Sequence, residues 1–335
     1  MDNITIRQPN DFHHHLRDEQ ILKITAKECF NRFNYVVVMP NLVPPVTTIL
    51  QAINYRGRIR YCNNKGTPLM TLYLNKNLKI SELELFKNNS YMIGVKYYPK
   101  AATTNSEFGV NNLKDVFHIL KVMEKLNIPL LVHGESIKHN IDVFHKEKVF
   151  LQEELTIIVQ KFPKLRIVLE HISTKEAVDF VLKHNIHATI TPHHLLLNRN
   201  DIFKNGINPH LYCLPILKKE VDRNSLVEAA LSGKSNFFMG TDSAPHRKHN
   251  KLSECGCAGI FNCTVAIELM TELFQINNKL HNLEKFISTN GCDFYNLEYN
   301  TNYITLENKE WIVPEEYDNI VPLYAGKKIN WKVTN

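Results

Sequence analysis

The chain has 335 residues, 44% of them hydrophobic, so it can bury a large core as one large domain or two ordinary ones. Its formal net charge of +6 is modest and its lysines are spread out, which argues against a nucleic-acid surface but favours a small anionic substrate. No apolar run approaches the roughly 20 residues that span a bilayer, and both a P-loop and a GxGxxG motif are missing.

The N-terminal stretch "MDNITIRQPND" lacks the basic and then apolar pattern of a secretory signal. The seven cysteines are odd in number and irregularly spaced, which indicates reduced thiols rather than a disulfide framework. We therefore expect a cytoplasmic protein. The cysteines are Cys29, Cys62, Cys213, Cys255, Cys257, Cys263 and Cys292.

The first predicted element, "ITIRQPNDFHHH", alternates polar and apolar residues and ends in three histidines. A purification tag would be set off by a flexible scar, whereas this triplet leads directly into "LRDEQILKITAKECF", which has helical spacing. On a strand, residues i and i+2 share a face. His13 and His15 should therefore converge while His14 points away, and the converging pair could chelate a cation.

Short apolar runs alternate with helical patterns such as "GVNNLKDVFHILKVMEKLN" and "STKEAVDFVLKHN" along most of the chain. Repeated strand–helix units predict a parallel sheet covered by helices, and eight units favour a (β/α)₈ barrel over an open sheet. No linker divides the chain, so we expect one domain over residues 1–335, with residues 282–335 as a strand-containing extension packed on the barrel. The eight runs are "ITIRQPNDFHHH", "YVVVMPN", "PLMTLYL", "YMIGVKYYP", "PLLVHGE", "RIVLEH", "HATITPHH" and "NFFMGTDSAP".

Ionisable and metal-binding side chains stand where the predicted strands end. Each has an ordinary structural explanation, such as a rim histidine, a lysine that extends to solvent or an aspartate that caps a turn. A barrel, however, directs all of these positions to the mouth at its C-terminal edge, where barrel enzymes place their chemistry. The residues are His13, His15, Asn41, Lys96, His133, His171, His194 and Asp242.

Imidazole and carboxylate ligands suit zinc and similar divalent ions. Five histidines and one aspartate exceed the usual ligand set of a single catalytic zinc, so the set favours two metals, provided that something bridges them. A protonated Lys96 cannot bind a cation; it is either a substrate clamp or a lysine modified into a ligand. A rival structural zinc site at Cys255, Cys257 and Cys263 lacks paired CxxC spacings and a fourth ligand.

Several stretches together resemble dihydroorotase, of the shorter single-function bacterial type within the amidohydrolase superfamily. They run in order from about residue 5 to 265; the HxH motif alone is shared widely, while "VMPNLVPPVTT" and "LYCLPILK" are more specific. The stretches are "FHHHLRD", "VMPNLVPPVTT", "VKYYPKAATTNS", "LLVHGE", "LEHISTKEAVDF", "ATITPHHL", "PHLYCLPILK" and "GTDSAPHRKHNK".

The resemblance implies a barrel that holds two zinc ions bridged by a carbamylated Lys96 and a hydroxide. One ion would be held by His13, His15, Lys96 and Asp242, and the other by Lys96, His133 and His171. The resemblance also implies substrate contacts from Arg17, Asn41, His246 and the backbones of Leu214 and Ala258, with Thr103 and Thr104 in a mobile loop. It assigns no metal role to His194, and it implies a homodimer.

The sequence departs from the family pattern at three positions, none of which carries an implied catalytic role. His14 stands where an apolar residue is frequent, His193 where glutamine is common, and Ile260 where relatives often have a further cysteine. The last departure weakens the structural-zinc alternative.

The reaction implied is the reversible cyclisation of N-carbamoyl-L-aspartate to L-dihydroorotate, a step of pyrimidine synthesis. We expect Asp242 to carry the proton to the leaving amide nitrogen, and the planar guanidinium of Arg17 to match a carboxylate. Alternatives are a hydantoinase-like cyclic amidase, which Arg17 and Asn41 argue against, and an inactive barrel, which the intact ligand set argues against.

Overall fold

The computed structural model describes residues 2–334 and has an eight-stranded parallel sheet at its centre. The barrel strands β2 to β9 follow one another in chain order, and a bridge between His14 and Ser243 joins the last strand to the first. Helices cover the outside. The predicted (β/α)₈ barrel is therefore confirmed.

The strands are β1 (Asn3–Arg7), β2 (Asp11–His14), β3 (Tyr35–Val38), β4 (Thr67–Leu74), β5 (Met92–Tyr97), β6 (Leu130–His133), β7 (Ile167–Glu170), β8 (His187–Ile190), β9 (Phe237–Met239), β10 (Tyr303–Ile312) and β11 (Lys328–Val333). The helices are α1 (Glu19–Phe30), α2 (Ile49–Cys62), α3 (Ile80–Glu84), α4 (Phe117–Leu126), α5 (Lys146–Phe150), α6 (Thr156–Lys161), α7 (Lys175–His184), α8 (Pro192–Leu196), α9 (Arg199–Phe203), α10 (Glu220–Leu231), α11 (Lys248–Lys251), α12 (Ala266–Ile276) and α13 (Asn290–Tyr295). Single π-helical turns join α5 to α6 and lead into α13.

Local sequence explains where the helices begin and end. Thr48 and Gln51 form a capping box at the start of α2, and the Thr174 side chain caps α7. Helices α4 and α7 are followed by Asn127 and Asn185, which cap them in the left-handed conformation that asparagine tolerates. None of the helices within residues 2–334 is long and apolar enough to cross a membrane.

The first predicted run is not a single barrel strand. After Gln8, Pro9 interrupts the run, and β1 leaves the barrel to pair antiparallel with β10, with Ile4 opposite Leu306. Strands β1, β10 and β11 form a separate three-stranded sheet. The two ends of the chain are thus joined in one sheet, which the period of the first run could not reveal.

The barrel interior is apolar below its mouth. Inward side chains of successive strands form a buried cluster with the ring of Phe294 from α13. On β6 and β7 a polar side chain follows the inward apolar residue by two positions, His133 after Leu131 and Glu170 after Val168, at the C-terminal end of the barrel. The inward residues include Phe12, Val37, Leu69, Leu131, Val168 and Phe238.

Candidate metal centre and active site

The ligand atoms of His13, His15 and Asp242 all lie within 4.8 Å of one another, although the chain separates the histidines from the aspartate by more than 220 residues. The two Nε2 atoms are 3.4 Å apart, and Asp242 Oδ1 lies 3.1 Å from His15 Nε2. The backbone amide of Asp242 donates to the carbonyl of His13 at 2.8 Å, which holds the end of β9 beside β2.

His14 points to the opposite side, as strand alternation predicts. Its Nδ1 lies 2.7 Å from Asp11 Oδ2 and 3.5 Å from the sulfur of Cys29. Asp11 also accepts from the backbone and hydroxyl of Thr241, so its oxygens are engaged within the protein. His14 therefore belongs to a buried network that supports the strand.

A second pair of histidines stands at the ends of β6 and β7. His133 Nδ1 lies 3.2 Å from His171 Nε2, and Nδ1 of His171 has no hydrogen-bond partner. The rings of His13 and His171 are 5.0 Å apart between centroids, so the two groups of ligands adjoin. Both groups could hold cations side by side.

Lys96 lies fully buried near the end of β5, with Nζ 5.1 Å from the centre of the Tyr98 ring and without a hydrogen-bond partner. Burial lowers the pKa of its amine to about 8, opposed by the charges of Glu170 and Asp242. An unpaired buried ammonium is costly, which marks this nitrogen as a group that needs a further partner.

Three residues of the site hold positive φ angles without being glycine: Arg17 at 60°, His171 at 41° and Asp242 at 46°. Such backbone is strained and tends to be retained at functional sites. Here the turn after each strand directs the side chain back over the mouth of the barrel.

Burial sets the protonation of the cluster. It lowers the pKa of His13, His15 and His171 well below the usual value, so these imidazoles are neutral and able to donate a lone pair. Burial also raises the pKa of Asp242 to about 7, opposed first by Lys96. A carboxyl with that pKa can both accept and return a proton near neutral pH.

Sequence reasoning missed two buried carboxylates behind the histidines. Glu170 Oε2 lies 2.8 Å from His13 Nδ1, and Glu135 Oε2 lies 2.8 Å from His133 Nε2. Such partners fix which ring nitrogen faces a metal. Both carboxylates are close to predicted ligands in the sequence, Glu170 directly before His171 and Glu135 two residues after His133, but this does not indicate that Glu170 contacts His13.

A small cavity of about 20 Å³ opens beside the cluster. It is lined by His15, Arg17, Asn41, Tyr98, Thr103, Thr104, His133, His171, Leu214, Asp242, Ala244, Ala258 and Gly259. Arg17 reaches His246 Nε2 at 3.0 Å and the carbonyl of Pro245 at 3.2 Å. His246 Nε2 lies 3.0 Å from the carbonyl of Ala258. Most residues expected to contact a substrate therefore line the cavity, whereas His246 contacts Arg17 and is not among the lining residues.

The segment that carries Thr103 and Thr104 lines one side of this cavity. Asn41 Nδ2 donates to the carbonyl of Thr104 at 3.0 Å, while Asn41 Oδ1 lies 2.8 Å from His15 Nδ1. The Thr104 hydroxyl reaches the carbonyl of Ala258 at 3.3 Å. Asn41 therefore connects the covering segment to the metal-ligand cluster.

His194 lies outside the cluster. Its Nδ1 is 2.7 Å from the Thr191 hydroxyl and its Nε2 is 3.0 Å from the carbonyl of Pro215, so both nitrogens are engaged. His193 and Cys213 lie within 4.8 Å of it, but His193 Nδ1 is occupied by the Asn262 amide.

The rival cysteine site does not form among residues 2–334. Cys255 and Cys257 approach to 3.6 Å, but Cys255 is exposed while Cys263 is buried elsewhere, and the three do not group as metal ligands.

The chain is similar in sequence to known proteins over almost its whole length. Residues 11–313 match the model of the Amidohydrolase family. The chain is 49% identical to a dihydroorotase of Acaryochloris marina. The alignment is 342 positions long, gaps included, and covers 99% of each protein. It is 48% identical to a dihydroorotase of Aliivibrio salmonicida, with 99% of this chain and 100% of that relative covered.

Solved structures of dihydroorotases are similar to the whole chain. A dihydroorotase of Saccharomyces cerevisiae in complex with 5-fluoroorotic acid has a TM-score of 0.93 and 32% identity, with 100% of this chain and 99% of that chain covered. A dihydroorotase of Campylobacter jejuni has a TM-score of 0.91 and 36% identity, covering 100% and 98%. An L-hydantoinase of Arthrobacter aurescens shares the fold alone, at 13% identity and a TM-score of 0.84 over 99% of this chain and 83% of that chain.

Proposed function

The chain belongs to the dihydroorotases of the amidohydrolase family, enzymes that act on cyclic amides, and on that premise we propose that it interconverts N-carbamoyl-L-aspartate and L-dihydroorotate with the help of two zinc ions. The observation that carries the proposal is the convergence of buried histidines and Asp242 on a cavity bordered by Arg17. Neutral imidazoles and a carboxylate are the donors that zinc prefers.

The donor set fits two ions. His13, His15 and Asp242 would hold one, and His133 and His171 the other, with His133 offering Nδ1 because Glu135 occupies its Nε2. The partnerless Nζ of Lys96 suits conversion to a carbamate, whose carboxylate would add a ligand to this set. Bound zinc would polarise the amide carbonyl and lower the pKa of water toward 7.

Carbamylation of Lys96 requires a neutral amine. The Nζ lone pair attacks CO₂, a C–N bond forms, and one proton leaves as the amine becomes an anionic carbamate. A pKa of about 8 gives a larger neutral fraction near pH 7 than a free lysine has. The buried side chain then carries a carboxylate that cations can balance.

The substrate would be held by residues that line the cavity together with the metal ligands. Arg17 donates to the Pro245 carbonyl and approaches His246, and its remaining N–H groups can pair with the substrate carboxylate in a planar fork. Asn41 would add an amide donor, and the backbones of Leu214 and Ala258 line the space for the ring. The segment with Thr103 and Thr104 would exclude water during closure of the ring, which favours condensation.

Asp242 would move the proton. Its Oδ1 faces the histidines, so we assign proton transfer to Oδ2. In ring opening, this oxygen accepts the proton of the attacking water and returns it to the leaving amide nitrogen. The reverse order applies to ring closure.

The test is turnover of L-dihydroorotate by the purified zinc-loaded protein, run beside hydantoin and dihydrouracil. We expect turnover of dihydroorotate alone and its near-complete loss in Asp242→Asn, with the fold retained by circular dichroism. Turnover of the uncharged rings would instead indicate a broader cyclic amidase and contradict the role of Arg17. An Asn variant with near-normal turnover at saturating substrate would refute the assignment of Asp242. The homodimer implied by the family remains a prediction for light scattering.

A further inference from the structure

We propose that Glu170 and Thr189 form a positioning relay that couples the two groups of metal ligands, so that the two ions are held as one unit. The inference rests on the metal centre proposed above. The relay runs from the His13 ring through Glu170 and Thr189 to the backbone of His171.

The contacts of the relay are continuous and short. His13 Nδ1 lies 2.8 Å from Glu170 Oε2, and the Thr189 hydroxyl donates to the same oxygen at 2.6 Å. Thr189 Oγ1 in turn accepts the backbone N–H of His171 at 2.7 Å. The backbone N–H of His171 can only donate, so Thr189 Oγ1 accepts there and its own hydroxyl proton is free to donate to Glu170.

Strand register explains why these side chains meet. Strands β7 and β8 are parallel, with Leu169 beside Ala188, so the next residues, Glu170 and Thr189, lie side by side on the inward face. Gly240 at the end of β9 permits the close approach. A Cβ there would lie 2.6 Å from Cβ of His13 and 3.0 Å from Cβ of Thr189. Glycine at position 240 thus lets the backbone after β9 lie close to both His13 and Thr189.

The relay acts on the two ligand groups in different ways. At His13, Glu170 holds the proton on Nδ1, so that Nε2 presents its lone pair toward His15 and Asp242. At His171, Thr189 secures the backbone amide of a residue held at a φ of 41°, a conformation that reverts unless it is over-determined. Loss of either link should therefore weaken binding in both groups.

The first experiment measures zinc retained per chain at a series of buffered free-zinc concentrations, by mass spectrometry of the metal. We expect Glu170→Gln, which keeps shape but removes the charge, to bind zinc about tenfold to a hundredfold more weakly. Thr189→Val should weaken zinc binding in the same sense, whereas Thr189→Ser, which keeps the hydroxyl, should stay close to wild type.

Glu147→Gln is the matched control. Glu147 is also fully buried, and it accepts from the Ser173 backbone and the Thr174 hydroxyl on the loop that follows His171, but it contacts no histidine ring. We expect its zinc binding to equal that of wild type even where its thermal stability falls as far as that of Glu170→Gln. Equal loss of zinc in both variants would show that Glu170 has only a structural role, and it would overturn the inference.

The double variant Glu170→Gln/Thr189→Val tests the coupling. Because both residues act through one path, its zinc affinity should fall by less than the product of the two single effects. A full product would show independent action and refute the relay, as would wild-type affinity in Glu170→Gln. A wild-type chain that binds no zinc would overturn the inference together with the proposed function. Zinc binding and turnover in wild type, with Glu170→Gln unaffected, would overturn the inference alone.

Discussion

At the scale of residues, two neighbouring histidines of one strand have different surroundings. His13 meets His15 and Asp242 at the cavity, while His14 is enclosed by Asp11 and Cys29 on the other face. All three histidines are buried, so exposure does not separate the ligands from the supporting residue. The direction of the side chain does, and a register shift between Asp11 and His14 lets both Phe12 and His13 face the barrel interior while His14 faces away.

Alanine substitutions separate these roles. We expect His13→Ala and His15→Ala each to lower the zinc content of the purified protein, measured by mass spectrometry of the metal. His14→Ala should keep its zinc but cost about 1–3 kcal/mol of unfolding free energy, because Asp11 loses a buried partner. Equal loss of zinc in all three variants would contradict the face assignment.

At the scale of elements, two glycines differ in how closely their helix packs against the barrel. Gly291 lies in α13, and a Cβ there would come within 2.2 Å of the Phe12 ring. Gly57 lies on the exposed face of α2 with no atom within 4 Å of such a Cβ. The same substitution should therefore have opposite effects at the two sites.

We expect Gly291→Ala to cost about 1–3 kcal/mol by overpacking, since Phe12 stacks on Tyr295 and cannot move freely. Gly57→Ala should instead stabilise by about 0.5–1 kcal/mol through helix propensity. Urea unfolding of both variants checks the pair. Comparable stability changes of the same sign would show that the contact with Phe12 is not what requires glycine at position 291.

We expect the stability of the fold to depend on pH through Glu147, which lies in α5. Burial raises the pKa of Glu147 to about 7, so the folded protein holds this proton more tightly than the unfolded chain does. The contribution of Glu147 to stability is fully present below pH about 4.3, which is its pKa in the unfolded chain. That contribution is lost as the pH rises through about 7. Between these limits the loss is on the order of 3 kcal/mol, at about 1.4 kcal/mol per pKa unit.

Glu147→Gln should remove this slope, because glutamine does not titrate. We expect the difference in unfolding free energy between wild type and variant to shift in favour of the variant as pH rises from about 4.5 to 7, and to stay level above that range. Denaturant unfolding at fixed ionic strength measures it. A difference that is constant across the range would mean that Glu147 is ionised in the folded state throughout.

The order of strands and helices could largely be predicted, because each strand of a parallel barrel is a short apolar run that ends in polar residues. The positions of His133, His171 and Asp242 follow from that rule alone. Glu170 was missed because an acidic residue inside a strand end gives no sign of which histidine it faces. The pairing of β1 with β10 was missed because partners about 300 residues apart leave no periodic signal.

At the scale of the whole molecule, the three-stranded sheet binds both ends of the chain to the barrel. Strand β11 packs on α12, where the buried Trp331 donates from its indole to Gln275 at 2.9 Å. Apolar residues of the extension, including Leu306 and Ile320, belong to the same core cluster as the barrel helices. We therefore propose that residues 282–335 are part of one cooperative unit with the barrel.

Trp331→Ala tests this unity. Removal of a fully buried tryptophan costs about 3–5 kcal/mol, and if the extension unfolds with the barrel, the whole calorimetric transition moves to lower temperature as a single peak. An exposed aromatic of the same region, Tyr303, provides the control, since Tyr303→Ala should leave the transition nearly in place. If the extension were an independent appendage, Trp331→Ala would split off a small early transition and leave the main one unmoved. In that case the barrel would hold His13 and His15 at its mouth without β10 and β11, and a chain that lacks these two strands would still bind zinc.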